Sequence, residues 1–262
     1  MISRRDFLKL GGAALLSASF PALRLPAAGP TAPLVVYHGS RKYPKIAMTF
    51  DDCWHPQVLE QLMAIAEPFP GFHFTFFAIG DAIEIDEAMR PGIWKRLYQA
   101  GHEIGYHTYQ HVDPQVMSKQ SLLNDYARWY STLSQAVGTD LPVHFARPPY
   151  DDLSLSWQEF CLEQGLVATL YSTGFEASTM PESMRLASQA VNGDIVQMHT
   201  YQDPPHARFD LDITATAVPY LARQGFTLIT MTQLYDDLLI EQNNSDGCDI
   251  GRGNSPTRTC LD

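Results

Sequence analysis

The chain has 262 residues, 45% hydrophobic, 11% aromatic and 18% charged, which excludes a disordered, collagen-like or coiled-coil chain. Its 18 basic and 29 acidic residues leave a net charge of −11. There is thus no basic excess to displace counterions from nucleic-acid phosphates or to hold an anionic membrane surface.

The first segment reads as an address. Arg4 and Arg5 precede Phe7-Leu8-Lys9 and an apolar run from Leu10 to Phe20, which Pro21, Arg24 and Pro26 interrupt. That run falls short of the ~20 apolar residues of a spanning helix. The paired arginines resemble the twin-arginine signal of bacterial export. Residues 1–28 are therefore expected to be a Tat-type signal read by the Tat export machinery, and 29–44 an N-terminal extension. The folded domain is expected over 45–240, with 241–262 a polar tail. Without Arg4, Arg5, Asp6, Lys9 and Arg24 the net charge becomes −14. No stable membrane span is expected after signal removal, so the protein is placed in the periplasm, outside the cell or on the cell surface of a bacterium.

From Lys45 onward, short apolar or aromatic runs alternate with amphipathic stretches. Strands are predicted at Ile46–Phe50, Phe72–Ile79, Glu103–His107, His144–Arg147, Leu166–Ser172, Ile195–His199 and Thr227–Met231. Helices are predicted at Ile93–Ala100, Ser121–Val137, Trp157–Gln164 and Asp212–Arg223, with Gly101, Gly138, Gly165 and Gly225 as stop signals. Strands that alternate with helices imply a parallel sheet in one α/β domain, either a (β/α) barrel or an open doubly wound sheet. No Gly-x-Gly-x-x-Gly follows the first strand, which disfavours a dinucleotide fold. Cys248 and Cys260 close a short loop in the polar tail and are expected to form a disulfide in an exported protein. Cys53 and Cys161 lie in apolar contexts and read as small buried hydrophobes.

The unusual residues fall at the C-terminal ends of the predicted strands: Asp51-Asp52, His107 to His111, Arg147-Pro148-Pro149-Tyr150 and His199. In a (β/α) barrel those ends converge on the face that carries chemistry. His107 and His111 are four apart, so a helical turn would aim both imidazoles one way. With Asp52 they form a two-histidine, one-carboxylate set with coordination positions left open, as in catalytic metal sites. Taken singly, Asp52 also reads as a helix N-cap and His199 as a core histidine. Asp51 reads as a general base beside the metal and Arg147 as the group that keeps it ionised. The Tyr150 amide reads as an oxyanion donor and His199 as the group that protonates a leaving group. Trp54, Tyr109, Trp129 and Tyr150 are candidates for stacking on sugar rings. His38, His55, His73, His102, His144 and His206 read as structural or surface residues.

Together these segments resemble the polysaccharide deacetylase (NodB-homology) family, carbohydrate esterase family 4. Thr49-Phe50-Asp51-Asp52, His107-Thr108-x-x-His111, Arg147-x-Pro149-Tyr150 and Val196-Gln197-Met198-His199 match its motifs in the family's order, over about 45 to 235. The resemblance implies a distorted (β/α) barrel with Asp51 as base and Asp52, His107 and His111 as ligands of a divalent metal. Zinc leads among the metals, ahead of cobalt, nickel or manganese. It further implies that Arg147 orients the base, that the Tyr150 amide binds the oxyanion and that His199 is the acid. The activity implied is hydrolysis of N-acetyl or O-acetyl groups on a carbohydrate, with water as nucleophile. One departure stands out. Where the family's fourth motif places a Trp and aspartates, this chain has Tyr171-Ser172-Thr173-Gly174-Phe175-Glu176. Glu176 is the acid nearest that slot, and Thr200 stands where an Asp often follows the last histidine.

Three other readings use the same residues. Two histidines and a carboxylate also hold non-haem Fe(II) for oxygen chemistry, but Asp51 and His199 then lack a task. A metal-dependent hydrolase of C–N bonds in a small amide keeps every role but changes the substrate. A glycan-binding protein with lost catalysis keeps the cleft and discards the chemistry.

Overall fold

A computed structural model describes residues 35–244 together with the strand pair 248–249 and 259–260. The expected export signal lies outside the described residues. In chain order the elements are β1 (Val35–Val36), β2 (Lys45–Asp52), α1 (Pro56–Ala66), β3 (Thr75–Ala78), α2 (Gly80–Met89), α3 (Ile93–Gln99) and β4 (Glu103–Tyr106). Next come α4 (Lys119–Val137), β5 (Phe145–Ala146), α5 (Leu155–Gln164), β6 (Val167–Thr169), β7 (Thr173–Gly174) and α6 (Met180–Ala187). The last are β8 (Ile195–His199), α7 (Pro204–Arg223), β9 (Thr227–Leu228), α8 (Met231–Asn244), β10 (Cys248–Asp249) and β11 (Thr259–Cys260).

The main sheet runs β1-β6-β5-β4-β3-β2-β8-β7, with β9 paired to β2 beside this path. Its strand pairs are parallel. Among the described residues the two ends of the path do not pair with each other, and the sheet is a curled half-barrel ringed by helices, the distorted (β/α) barrel that the family resemblance implies. All seven predicted strands are present, most of them shorter than the apolar runs that signalled them. Two further strands join them. β1 pairs with β6 (Val35 opposite Ala168) although it falls in the predicted N-terminal extension, and β7 pairs with β8 (Thr173 opposite Val196). Strands of two residues carry no alternation to read.

Side chains on a strand alternate between its two faces, and here that period sorts the core into two shells. Ile46, Met48 and Phe50 of β2, Ile104 and Tyr106 of β4, and Val196 and Met198 of β8 face outward into the large cluster beneath the helices. Ala47, Phe77, Phe145, Val167 and Ile195 face inward and pack with Met231, Leu234, Tyr235 and Leu238 of α8, which plugs the end where strands begin. Lys45 Nζ holds Asp237 of that helix at 2.7 Å. At the other end, the inward positions of the same strands are polar: Asp51, His107, Arg147, Gln197 and His199. The long helix α4 is capped by Ser118, whose Oγ accepts from Ser121 N at 3.1 Å, and it ends at Gly138 with φ 81°.

Cys53 and Cys161 are buried free thiols. Cys248 stands opposite Cys260 in the antiparallel pair β10–β11; the expected bridge itself rests on side chains outside the described set. Among the described residues no helix is long and apolar enough to cross a membrane.

Candidate active site

The inward period of β2 delivers Asp51 to the open end of the half-barrel, where the chain then breaks from extended geometry. Asp52, Cys53 and His55 all take left-handed backbone conformations, with φ of 65°, 69° and 69°. Such φ values in non-glycine residues are a form of strain that concentrates at functional sites. The turn puts the Asp52 carboxylate beside the mouth of the barrel instead of on the outer face that its place in the strand would dictate. Asp52 does not cap the next helix; the N-cap position belongs to His55, whose side chain makes no capping bond and meets the Gln202 carbonyl instead, at 2.9 Å.

Asp51 is 1% exposed and Arg147 is fully buried. Arg147 Nη1 donates to Asp51 Oδ1 at 2.7 Å and to Thr49 Oγ1 at 2.7 Å, and Nη2 donates to the Leu170 carbonyl at 3.1 Å. Its guanidinium lies 4.2 Å from the centre of the Phe77 ring. Gln197 Nε2 donates to the second carboxylate oxygen of Asp51 at 2.8 Å. Burial alone would raise the Asp51 carboxyl; the Arg147 charge, with His107, His199 and the Gln197 hydrogen bond, outweighs it and holds the group below its usual 3.8.

His107 and His111 converge on Asp52 without a helix. Residues 107–111 form a loop in which Thr108 and His111 have φ of 63° and 54°, so the helical turn expected from their spacing is replaced by a tight loop with the same result. The two rings lie 5.1 Å apart, and their Nε2 atoms are 3.7 and 3.5 Å from Asp52 Oδ1. One ligand atom from each of the three residues lies within 4.8 Å of the others. His107 Nδ1 donates to the Arg147 carbonyl at 2.8 Å, which fixes the tautomer and turns the Nε2 lone pair toward Asp52. Among the described residues Asp52 Oδ1, which is buried, has no hydrogen-bond partner, a costly state for a carboxylate oxygen unless a cation meets it. Burial lowers His107 to about 4 and lowers His111, so both imidazoles are neutral donors near neutral pH. Burial and the neighbouring Asp51 charge push Asp52 up to about 6. An orphaned carboxylate oxygen facing two neutral imidazoles fits a divalent metal such as zinc.

His199 comes from the end of β8, and Glu176 occupies the slot where the sequence departs from its resemblance. Glu176 accepts from His199 Nδ1 at 2.8 and 3.0 Å, from the His199 backbone N–H and from the Tyr201 hydroxyl at 3.1 Å. His199 Nε2 is 4.0 Å from Asp51 Oδ2, and its ring stacks on Tyr201 at 4.6 Å. Burial alone would lower this histidine, but the hydrogen bond to Glu176 and the charges of Asp51, Glu176 and Asp52 push it up to about 9. Tyr150 has φ 57° and a side chain that is 68% exposed, set 4.6 Å from the His111 ring.

All seven residues singled out in the sequence, Asp51, Asp52, His107, His111, Arg147, Tyr150 and His199, come together here. Six of them line one cavity of about 240 Å³, together with Pro148, Asp151, Gln197 and Tyr201, and Arg147 stands behind Asp51. Gln197, Asp151 and Tyr201 were not singled out. The signal for Gln197 was available, since it lies two residues before His199 on one strand and so shares its face. Trp129 and Tyr109 are core residues rather than sugar-stacking ones: both are buried, and Trp129 Nε1 donates to the Ala78 carbonyl at 2.7 Å.

Residues 38–159 match the family model for polysaccharide deacetylase. A peptidoglycan-N-acetylglucosamine deacetylase of Bacillus cereus is 25% identical over 209 residues, covering 76% of this chain and 71% of the relative. The corresponding deacetylase of Listeria monocytogenes is 27% identical over 203 residues, covering 74% of this chain and 40% of its own length. Among solved structures, a family 4 carbohydrate esterase pseudoenzyme from Bacillus anthracis shares the fold with a TM-score of 0.67 at 17% identity, over 80% of this chain and 70% of that one.

Proposed function

We propose that this chain is a polysaccharide deacetylase that hydrolyses the acetamido group of N-acetylglucosamine units in a glycan, peptidoglycan first among the substrates, with a divalent metal at Asp52, His107 and His111. The observation that supports the reading best is the arrangement around the cavity. A metal-ligand set with an orphaned oxygen, an ionised acid and a protonated histidine all open into the same space. The match over residues 38–159 and the deacetylase relatives point the same way.

Each demand of amide hydrolysis then has a residue. The metal, when bound, polarises the acetyl carbonyl and lowers the pKa of water in an open position of the site. Asp51 takes a proton from the attacking water, and Arg147 and Gln197 keep its carboxylate ionised and aimed. The Tyr150 backbone amide serves as donor to the oxygen that gains charge as water adds to the carbonyl carbon. His199, cationic at neutral pH with Nδ1 held by Glu176, gives its Nε2 proton to the nitrogen as the C–N bond breaks. Acetate and a free amine leave. Removal of O-acetyl groups needs the same groups with an alcohol as leaving group. A substrate of this class lies outside the cytoplasm, where the expected export signal would deliver the protein.

Acetate release from N-acetylglucosamine oligomers and from peptidoglycan tests this reading. Metal-loaded protein is expected to release acetate, and a chelator or His111→Ala to abolish release. Metal-loaded protein that binds acetylated glycans but frees no acetate from any of them would overturn the reading in favour of a glycan-binding protein.

A further inference from the structure

Three carboxylates line the cavity, Asp51, Asp52 and Asp151, and the reaction above uses only the first two. Asp151 follows Tyr150 in a second left-handed conformation, with φ 58°, which costs any residue with a β-carbon, aspartate and asparagine least. Its carboxyl accepts from neutral donors, Gln197 Nε2 at 3.4 Å and the Tyr171 hydroxyl. The nearby guanidinium of Arg147 sends Nη1 to Asp51 and Thr49 and Nη2 to the Leu170 carbonyl, and it reaches Asp151 only through its charge. A carboxylate has room for about four donors, so acceptor capacity remains on the cavity side. The single amide nitrogen of Gln197 bonds both Asp51 Oδ2 and Asp151 Oδ1. The acid that meets the reacting group and the unused acid therefore stand one amide apart, close enough for neighbouring substituents of one sugar ring to reach both.

We propose that Asp151 is a substrate-contacting, specificity-determining residue whose carboxylate accepts a hydrogen bond from the ring hydroxyl next to the scissile acetamido group. The proposal rests on the deacetylase reading. A charged acceptor position aimed at that hydroxyl discriminates against an analogue lacking the donor, because the lone pair it would meet then goes without its hydrogen bond while Gln197 and Tyr171 keep theirs.

The test pairs the wild-type full chain with Asp151→Gly and Asp151→Asn, and the N-acetylglucosamine tetramer with an analogue carrying hydrogen in place of that hydroxyl on the reacting ring. Glycine accepts the left-handed backbone without strain, so Asp151→Gly removes the carboxylate while sparing the turn, and asparagine keeps a neutral acceptor. Asp151→Gly is expected to lose about tenfold in kcat/KM on the parent sugar, the size of one hydrogen bond to a charged group. On the deoxy analogue it should match the wild type, which is itself slowed. Asp151→Asn should fall between. Equilibrium binding of both sugars to the metal-free full chain should follow the same pattern. Equal losses on both sugars, no loss on either, or a shifted acidic limb of the pH profile (the mark of action through Asp51) would overturn the proposal. If the wild type frees no acetate, the deacetylase reading fails by itself, and the binding comparison still decides the role of Asp151.

Discussion

His199 sits between two acids with different duties: Asp51 lies 4.0 Å from Nε2, and Glu176 is 2.8 Å from Nδ1. Its value of about 9 stands above the ordinary 6.5. The stability that this ion pair adds is therefore complete below 6.5 and is lost as pH rises through 9. For catalysis the same shift keeps a proton on the histidine across neutral pH. Glu176→Gln retains an acceptor for the backbone N–H of His199 but removes the charge. In this variant the basic limb of the kcat pH profile is expected to move from near 9 toward 6.5, with the largest relative loss in alkaline buffer. A basic limb that stays in place would show that Glu176 does not set the proton affinity. That Asp51, His111 and their neighbours share one site was legible in the sequence, because acids, imidazoles and a guanidinium at strand ends have few structural uses. Glu176 was legible only as the acid nearest the departed motif, a stand-in that the spacing does not require. It follows a strand of two residues, and only the fold brings it under His199, 23 positions away.

The strands owe their two-shell core to close approaches that a residue-type reading does not register. Gly105, inward on β4, faces the Phe77 ring, and a β-carbon there would lie 2.6 Å from two ring carbons and 3.2 Å from the Phe145 carbonyl. Phe77 in turn carries the Arg147 guanidinium, so the glycine sets the floor on which the Arg147–Asp51 pair rests. Gly105→Ala is expected to cost about 1–3 kcal/mol, the usual range for overpacking a filled core, and to displace Phe77. A urea melt measures the first effect. The second would appear as a lower kcat at unchanged metal affinity. A fully stable and fully active variant would show that the ring has room to move. The sequence marked β4 and its neighbours correctly through their apolar runs, but it gave the His107–His111 pair a helical turn. Spacing by four is shared by a helix and by a loop with two left-handed residues, and only the positive φ values of Thr108 and His111 separate them.

At the scale of the molecule, the half-barrel divides the work between its ends. The end where strands begin is sealed by α8 and its apolar side chains, while the open end gathers buried polar groups whose cost the rest of the fold must offset. Part of that cost is Asp52, whose carboxylate oxygen is orphaned and whose pKa is raised to about 6. A carboxyl with a raised value favours the folded state most below 3.8 and loses that advantage as pH climbs through 6. A bound cation reverses the trend, because it needs the ionised carboxylate and the neutral imidazoles. Metal should therefore stabilise the fold more at neutral pH than in acid. At a free zinc concentration of about a hundred times Kd the gain is about 2.7 kcal/mol, or roughly 5–10 °C in Tm for a domain of this size. Calorimetry of the full chain with zinc and with chelator, at pH values on either side of 6, is expected to show that gap near neutrality and a much smaller one in acid. His111→Ala should close it at both. A zinc-induced rise in Tm that is independent of pH, or that survives His111→Ala, would place the metal elsewhere on the chain and leave the orphaned oxygen of Asp52 without its cation.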